Sequence, residues 1–423
     1  MYGVVARSSH NSSTPLPLIH RCGSAPCAGW LRGHPVLMNA ELPKLHRRRD
    51  VLAQGLADHE IRRRYRDGDW QRLRKGVYVD ALDSAALDAE ARHFLVSRAI
   101  IPALSGTAVL SHESAALVHG LPLFGVELGP VHVTQNRRSG GRVTDSVITH
   151  CSSLGRSLTV QGLPVTSLAR TVVDVARTHP LDTAVVLGDV AMRMGVSEEE
   201  LAEELEHARR WKGIAAARRA VAFLDARSES VGESLSRIRI RQHGFDNVEL
   251  QMEIRDRTGK LIARTDFLVA SKVVGESDGK AKYVKHLDEG EKPGDVVFKE
   301  KQREDAVRDA GYEVVRWTWA ELWAFEKVAA RLRAAVARAE RSPKPSGSVR
   351  AGAGVEGRCS RIRQVRGCLP ASRCAFGEVV SVCPSPSPSP SPALPATHDG
   401  RTHGGCGRRC YVCAIRMLLR RAP

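Results

Sequence analysis

The sequence predicts an α/β protein with three folded parts between two low-complexity ends. Two observations carry this prediction: β-branched runs alternate with apolar residues at helical spacing, and Ser, Pro and Gly mark both ends of the chain. We predict an amino-terminal winged helix-turn-helix at 41–85, an α+β middle domain at 86–225 and an α/β domain at 226–341. A chain of 423 residues is long enough for such a division.

The two ends are predicted to be disordered extensions, at 1–40 and 342–423. The first 37 residues have no sustained period, and Met38 follows them. The tail carries runs such as CPSPSPSPSPALP, whose composition cannot bury enough apolar surface to become ordered. The sequence has no signal-peptide apolar segment and no apolar run of 18 residues, so we expect no membrane association.

The cysteine distribution indicates a cytoplasmic protein rather than a disulfide scaffold. Seven of the ten cysteines lie in the predicted tail and two in the first 37 residues, which leaves Cys151 alone in the folded part. In the tail, Cys406, Cys410 and Cys413 with His403 imitate a zinc knuckle, but a second matching pair is missing.

The segment after Arg47 predicts two short helices, a turn and a strand. Its sequence is RRRDVLAQGLADHEIRRRYRDGDWQRLRKGVYVDA. Val51 and Leu52 begin an apolar helix face, Gly55 suits a helix end, and Asp58 is predicted to cap the following helix. DGDW then marks a turn, and RLRKGVYV alternates apolar with basic residues as a wing strand does.

Charge points to nucleic acid in this segment rather than in the chain as a whole. Of the net +17, +10 lies in 342–423 and +3 in 1–37. From Arg47 to Lys75, however, ten Lys or Arg stand against five acids. A winged helix would place its second helix in the major groove and its wing on phosphates; the alternative is a charged, solvated helix face. The predicted DNA-binding residues are Arg62, Arg63, Arg64, Arg66, Arg72, Arg74 and Lys75.

Acidic residues interrupt two apolar runs in RTDFLVASKVVGESDGKAKY, residues 264–283. A hairpin with a loop at 270–272 would place Asp266 opposite Glu276, with Asp278 on the same face. Such carboxylates repel one another unless a cation or a proton lies between them, and oxygen ligands suit Mg²⁺ or Mn²⁺. The alternative is a solvated acidic face on an edge strand.

The middle region gives weaker indications of structure and function. VHVTQ at 131–135 predicts a strand, and TSLARTVVDVART predicts an amphipathic helix capped by Thr166 or Ser167. The segment 201–224 predicts one or two further helices. The run His112, Glu113, Ser114 could form a hydrolytic site, although a His-Glu pair at a helix start favours capping.

Several of these motifs resemble the AbiEi-type antitoxins of type IV toxin-antitoxin systems. The matching stretches are Leu56 to Tyr78, SHESAALVHGLPL at 111–123 and GLPVTSLARTVVDVAR at 162–177. The resemblance implies a DNA-binding winged-helix head and a middle domain that supports repression and neutralisation of a cognate toxin.

The following part resembles the Vsr-like branch of the PD-(D/E)xK nuclease fold. It covers GESLSRIRIRQHGF at 232–245, the strands around 251–267, GESDGKAKY at 275–283 and the helix and strand at 298–322. The resemblance implies a PD-(D/E)xK-like α/β domain with a helix, three antiparallel strands, a helix and a strand.

The nuclease resemblance also implies a catalytic site. Asp266 and Glu276 match its metal-binding carboxylates and Glu233 its helix glutamate, which would support Mg²⁺-assisted or Mn²⁺-assisted phosphodiester hydrolysis. The sequence departs from the acid-x-Lys signature because Asp278 stands where Lys is expected, so Lys280 or Lys282 would supply the cation. Two functions follow: a DNA-directed nuclease, or an antitoxin-like regulator that binds DNA without cutting it.

Overall fold

The computed structural model describes residues 42–104, 106–278 and 293–352, with side chains described from residue 298 in the last range. The described residues form an α/β structure, as predicted, and their strands make three sheets. The extension at 1–40, the tail beyond residue 352, and the predicted site residues Lys280 and Lys282 lie outside these ranges. Within them, no helix combines the length and apolar character needed to span a membrane.

The first unit is two helices followed by a β-hairpin. The hairpin and a short preceding strand form a three-stranded antiparallel sheet of order β1-β3-β2. Val51, Ile61 and Trp70 pack together beneath it. The elements are β1 (His46–Arg47), α1 (Arg48–Ala53), α2 (Asp58–Arg66), β2 (Trp70–Arg74) and β3 (Val77–Asp80).

The predicted cap of α2 is wrong, whereas the predicted end of α1 is confirmed. Ala57 occupies the N-cap position, and its backbone N–H donates to Glu60. Asp58 lies one residue later, and its carboxylate accepts hydrogen bonds from the guanidinium of Arg48 instead of from the backbone N–H groups of the helix. Gly55 has a left-handed backbone, φ 95°, as a residue just after a helix often does.

The second unit is a mixed sheet of order β6-β7-β5-β4-β9-β8. The β4–β9 and β5–β7 pairs are parallel and the others antiparallel. The predicted strand at 131–135 is confirmed. The elements are α3 (Ala81–Ala85), α4 (Ala89–Ile100), β4 (Ala108–Leu110), α5 (His112–Val118), β5 (Val131–Gln135), β6 (Arg142–Val143), β7 (Val147–Cys151), β8 (Ser157–Val160) and β9 (Leu163–Thr166).

Four helices follow this sheet. Ser167 caps the first by accepting a hydrogen bond from the N–H of Arg170, which confirms one of the two predicted caps. The segment 201–224 contributes to two helices, the larger of the predicted numbers. The helices are α6 (Leu168–Thr178), α7 (Leu181–Arg193), α8 (Glu198–His207) and α9 (Ile214–Val221).

The third unit is a five-stranded sheet of order β13-β12-β11-β10-β14. Strands β10, β11 and β12 are antiparallel, and a crossover helix returns the chain so that β13 runs parallel to β12. The predicted hairpin register is confirmed at three pairs, Phe267–Gly275, Leu268–Val274 and Val269–Val273. The elements are α10 (Val231–Gln242), β10 (Val248–Arg255), β11 (Leu261–Val269), β12 (Val273–Asp278), α11 (Pro293–Asp309), β13 (Glu313–Thr318), α12 (Glu326–Arg341) and β14 (Ser348–Ala351).

The start of the predicted disordered tail is ordered instead. Residues 348–351 pair with β10 in antiparallel register, and the N–H of Gly352 donates to the carbonyl of Gln251. The backbone groups of β10 on that side would otherwise lack strand partners, and this short segment satisfies them.

The second and third units share a hydrophobic core across the predicted boundary at 225/226. Val185 and Val186 of α7 are buried in the same cluster as Phe267 and Trp317 of the five-stranded sheet. The contact is also polar, because Asp189 of α7 accepts hydrogen bonds from Arg237 of α10.

Candidate functional site

The candidate site lies where α10 meets β11 and β12. Glu233 stands in the first turn of α10, Asp266 on β11 and Glu276 on β12. Glu233 and Glu276 are buried, with 6% and 8% of their surface exposed, and β12 lies between β11 and β13. The alternative of a solvated acidic edge strand is therefore wrong.

Asp266 and Glu276 do not form the predicted opposite pair. The last paired residues of the hairpin are Phe267 and Gly275, and Oδ2 of Asp266 accepts a hydrogen bond of 3.0 Å from the N–H of Ser277. On β10, Gln251 has a left-handed backbone, φ 55°. The paired residues of β10 and β11 on either side are Leu250–Phe267 and Met252–Thr265, and Gln251 and Asp266 are not paired between them.

Glu233 is held by three donors, two just before α10 and one on β10. Its Oε2 accepts from the N–H of Glu229 and from Nε2 of Gln251, both at 2.8 Å, and its Oε1 accepts from Oγ of Ser230 at 2.9 Å. Burial raises the pKa of Glu233, and the charge of Asp266 raises it further against these hydrogen bonds. Gln251 therefore belongs to the site, although the sequence prediction missed it.

Two arginines hold Glu276. Arg303 of α11 and Arg316 of β13 each place a guanidinium nitrogen 2.8 Å from one of its carboxylate oxygens. Burial raises the pKa of Glu276 and Asp266 adds to the rise, while the two arginines oppose it. Arg316 also lies 3.8 Å from Asp278, so the same cation serves two of the predicted acids.

The arginines were missed because they lie far along the chain from the hairpin. Arg316 is the direct neighbour of Glu276 in the parallel β12–β13 register, and the only signal for it is an Arg inside the apolar strand EVVRW. Glu300 and Arg303 stand at i and i+3 on α11, where both face the same side. Glu300 ion-pairs with both arginines, and although burial opposes the shift, these contacts lower its pKa to about 2.

The acidic residues supply oxygen donors of the kind that Mg²⁺ and Mn²⁺ prefer. In the part of the chain that the structure describes, no three of them each bring an oxygen within 4.8 Å of the others. The arrangement would have to contract to bind one ion, and Mg²⁺ or Mn²⁺ binding stays a prediction.

The predicted DNA-binding residues divide into two groups. Arg64 lies over the ring of Trp70 at 5.0 Å, and Arg74 donates to the carbonyl of Ala99 at 3.4 Å, so both contact the protein itself. The remaining five are exposed on α2, on β2 and in the turn after it: Arg62, Arg63, Arg66, Arg72 and Lys75. Of these, Arg72 also lies over the ring of Tyr65 at 5.3 Å.

Comparison with known proteins gives few matches. No family model matches the chain. Two curated proteins of Mycobacterium tuberculosis, described as the uncharacterized proteins MT2308 and Rv2248, are each 34% identical over 127 residues, which is 30% of this chain and 46% of theirs. The chain thus spans about half the length of these relatives.

The similarity to a solved structure is weak. The crystal structure of the RV2827C protein from Mycobacterium tuberculosis aligns with 46% of this chain and 76% of its own, at 16% identity and a TM-score of 0.32. A similarity of this size does not indicate a common fold.

Proposed function

We propose that the protein binds DNA through an amino-terminal winged helix and that its carboxy-terminal sheet hydrolyses phosphodiester bonds with a divalent metal. One observation carries the proposal: Glu233, Asp266 and Glu276 come from three different elements, and burial, with a further contribution from the charge of Asp266, raises the pKa of both glutamates. Structural acids are seldom placed so that they oppose one another, whereas catalytic ones often are.

The order of elements supports the same proposal. A helix, three antiparallel strands, a crossover helix and a parallel strand follow one another from α10 to β13. This is the order implied by the resemblance to PD-(D/E)xK nucleases.

In this function Asp266, Glu276 and Glu233 would hold the ion, and Mg²⁺ or Mn²⁺ would polarise the phosphoryl oxygen and activate a water molecule. Gln251 orients Glu233 through its amide. Arg303 and Arg316 place positive charge beside Glu276, where the phosphate of a DNA strand would approach.

The winged-helix part of the proposal rests on exposed basic residues. Helix α2 has nine residues. An α-helix with its side chains is about 10 to 12 Å across, which fits the width of the major groove at about 12 Å. Arg62, Arg63 and Arg66 are exposed on α2. The hairpin ending at Lys75 would contact the phosphates beside the groove.

We expect replacement of Arg62, Arg63 and Arg66 by Ala to weaken DNA binding and to reduce its salt dependence. Each lost phosphate contact lowers the slope of log K against log salt by about 0.9, so the slope should fall by up to about 3. Fluorescence anisotropy with a labelled duplex at several salt concentrations measures both quantities.

The control removes the same charge elsewhere, with Ala at Arg209, Arg210 and Arg219, and should bind as the wild type does. An unchanged slope in the α2 variant would show that DNA, if bound at all, is bound by another surface.

A second function is favoured by the two arginines on Glu276. Because they already neutralise this carboxylate, the sheet could bind DNA or a toxin without cutting, as in an antitoxin-like regulator. Incubating supercoiled plasmid with the protein and Mg²⁺, Mn²⁺ or Ca²⁺ separates the two. The nuclease proposal expects nicked or linear DNA with Mg²⁺ or Mn²⁺; intact plasmid that is nevertheless bound would support the regulator.

A further inference from the structure

Three histidines meet at the six-stranded sheet, on elements other than those of the acidic site. His112 begins α5, His132 lies on β5 and His150 on β7. Each offers one ring nitrogen that lies within 4.8 Å of the other two. We propose that His112, His132 and His150 bind a transition-metal ion of the zinc type.

The spacing of two of the nitrogens suits such an ion. Nε2 of His150 lies 3.2 Å from Nδ1 of His132. Two imidazoles bound tetrahedrally to zinc, with bonds of about 2.0 to 2.1 Å, hold their nitrogens about 3.3 Å apart. The distance between these two nitrogens therefore already matches that between two zinc ligands. Without an ion, the same distance is that of a hydrogen bond between them.

His112 supplies a nitrogen that has no other use. Its ring is 1% exposed, and its Nδ1 lies 3.1 Å from Oγ of Ser111. Its Nε2 has no hydrogen-bond partner among the described residues, and the nearest carboxylate, on Asp174, is 4.0 Å away. A buried nitrogen without a partner is costly, and a bound cation would satisfy it.

The backbone conformation of His112 is also unusual. Its φ of 51° lies in the left-handed region, which a residue with a side chain rarely adopts. Such strained conformations persist where the surrounding structure holds them in place, and they are concentrated at binding and active sites. Here the conformation directs the imidazole inward, against His150, with ring centroids 4.0 Å apart.

A carboxylate lies beside the histidines. Glu113 adds negative charge beside the site, because its Oε2 lies 3.0 Å from Nδ1 of His132 and its other oxygen contacts His179. Glu113 therefore does not serve as a plain helix cap, as its position after His112 suggested.

A cavity of about 430 Å³ gives an ion access to the histidines. His112 and His150 line it together with Cys151, and Arg170, Arg177 and Lys212 lie on its wall. Three protein ligands leave one position of a tetrahedral ion open, and that position would be filled from this cavity by water or a small anion.

Cobalt titration into the chelator-treated full-length protein tests the proposal. We expect one equivalent of Co²⁺ to bind with the visible absorption of a tetrahedral nitrogen and oxygen site, and Zn²⁺ to displace it. His150→Gln should weaken binding at least tenfold, since it removes one of three ligands. His207→Gln, which changes an exposed histidine outside the group, should bind as the wild type does.

The tail cysteines need their own control, since Cys406, Cys410 and Cys413 could also bind cobalt. Thiolate ligands give a near-ultraviolet charge-transfer band that imidazoles do not, and replacing the three cysteines with Ser should leave the expected spectrum intact. Loss of the spectrum in that variant, or its retention in His150→Gln, overturns the proposal. If His150→Gln does not fold, His132→Gln provides the same reading. Absence of an imidazole-type spectrum in the wild type overturns the proposal without any variant.

Discussion

Replacing Asp266 with Asn should reduce metal-dependent DNA cleavage at least about a hundredfold while leaving the fold intact. The amide oxygen of Asn can still accept the hydrogen bond from the N–H of Ser277, so the local structure keeps its support. The negative charge that attracts the ion is lost, and losing about 3 kcal/mol of transition-state stabilisation corresponds to a factor of about a hundred. Plasmid cleavage rates at saturating Mn²⁺ measure the loss.

The effect of metal on the unfolding free energy provides a second test of the same variant. An ion that binds only the folded wild type should raise its unfolding free energy by about 2.7 kcal/mol at a hundredfold excess over the dissociation constant. Asp266→Asn should show little of this rise. Without metal it should be as stable as the wild type or slightly more so, because Asp266 opposes the ionisation of Glu233 and Glu276.

The matched control is Asp246→Asn, which changes an acid whose side chain is 80% exposed near the same sheet. It should cleave DNA and respond to metal as the wild type does. If the wild type gains no stability from millimolar Mg²⁺ or Mn²⁺, the acidic cluster does not bind these ions, and the nuclease proposal loses its chemistry.

Replacing Asp189 with Ala should destabilise the protein by about 3 to 5 kcal/mol. Asp189 is fully buried and accepts hydrogen bonds from Arg237 at 2.6 and 2.8 Å, from Ser234 at 2.7 Å and from the N–H of Asp225 at 2.8 Å. Without the carboxylate, the largely buried guanidinium of Arg237 loses its counter-charge. Urea unfolding followed by tryptophan fluorescence gives the free energy.

The control for this effect lies on the same helix. Asp182 of α7 also pairs with an arginine of α10, Arg239, but its side chain is 24% exposed. An ion pair nearer to solvent contributes less, so Asp182→Ala should cost about 1 kcal/mol. Equal losses of unfolding free energy in the two variants would mean that burial does not determine how much the Asp189–Arg237 pair contributes to stability.

Local patterns predicted local structure well. The hairpin register around Ala270, the strand at 131–135 and the cap at Ser167 all follow from neighbouring residues, through turn length, alternation and capping chemistry. Those rules act over a few residues, so a single sequence is sufficient for them.

The parts that were missed depend on contacts between distant segments. Arg316 reaches Glu276 only because β13 returns parallel to β12. The three histidines are 20 and 18 residues apart in sequence and meet only because β5 pairs with β7 beside α5. Gln251 joins the site through a backbone irregularity that has no residue signature. None of these contacts has a periodicity that a linear pattern could reveal.

The core shared by α7 and the five-stranded sheet limits where the carboxy-terminal part could be joined to another protein by gene fusion. A recombination joint at residue 225 would separate Val185 and Val186 from the cluster that includes Trp317, and would leave Arg237 without Asp189. A gene exchange that moved the carboxy-terminal sheet to another head would therefore have to carry the coding sequence from Leu181 onward. The segment that would have to be transferred together therefore begins inside the middle region and not at its end.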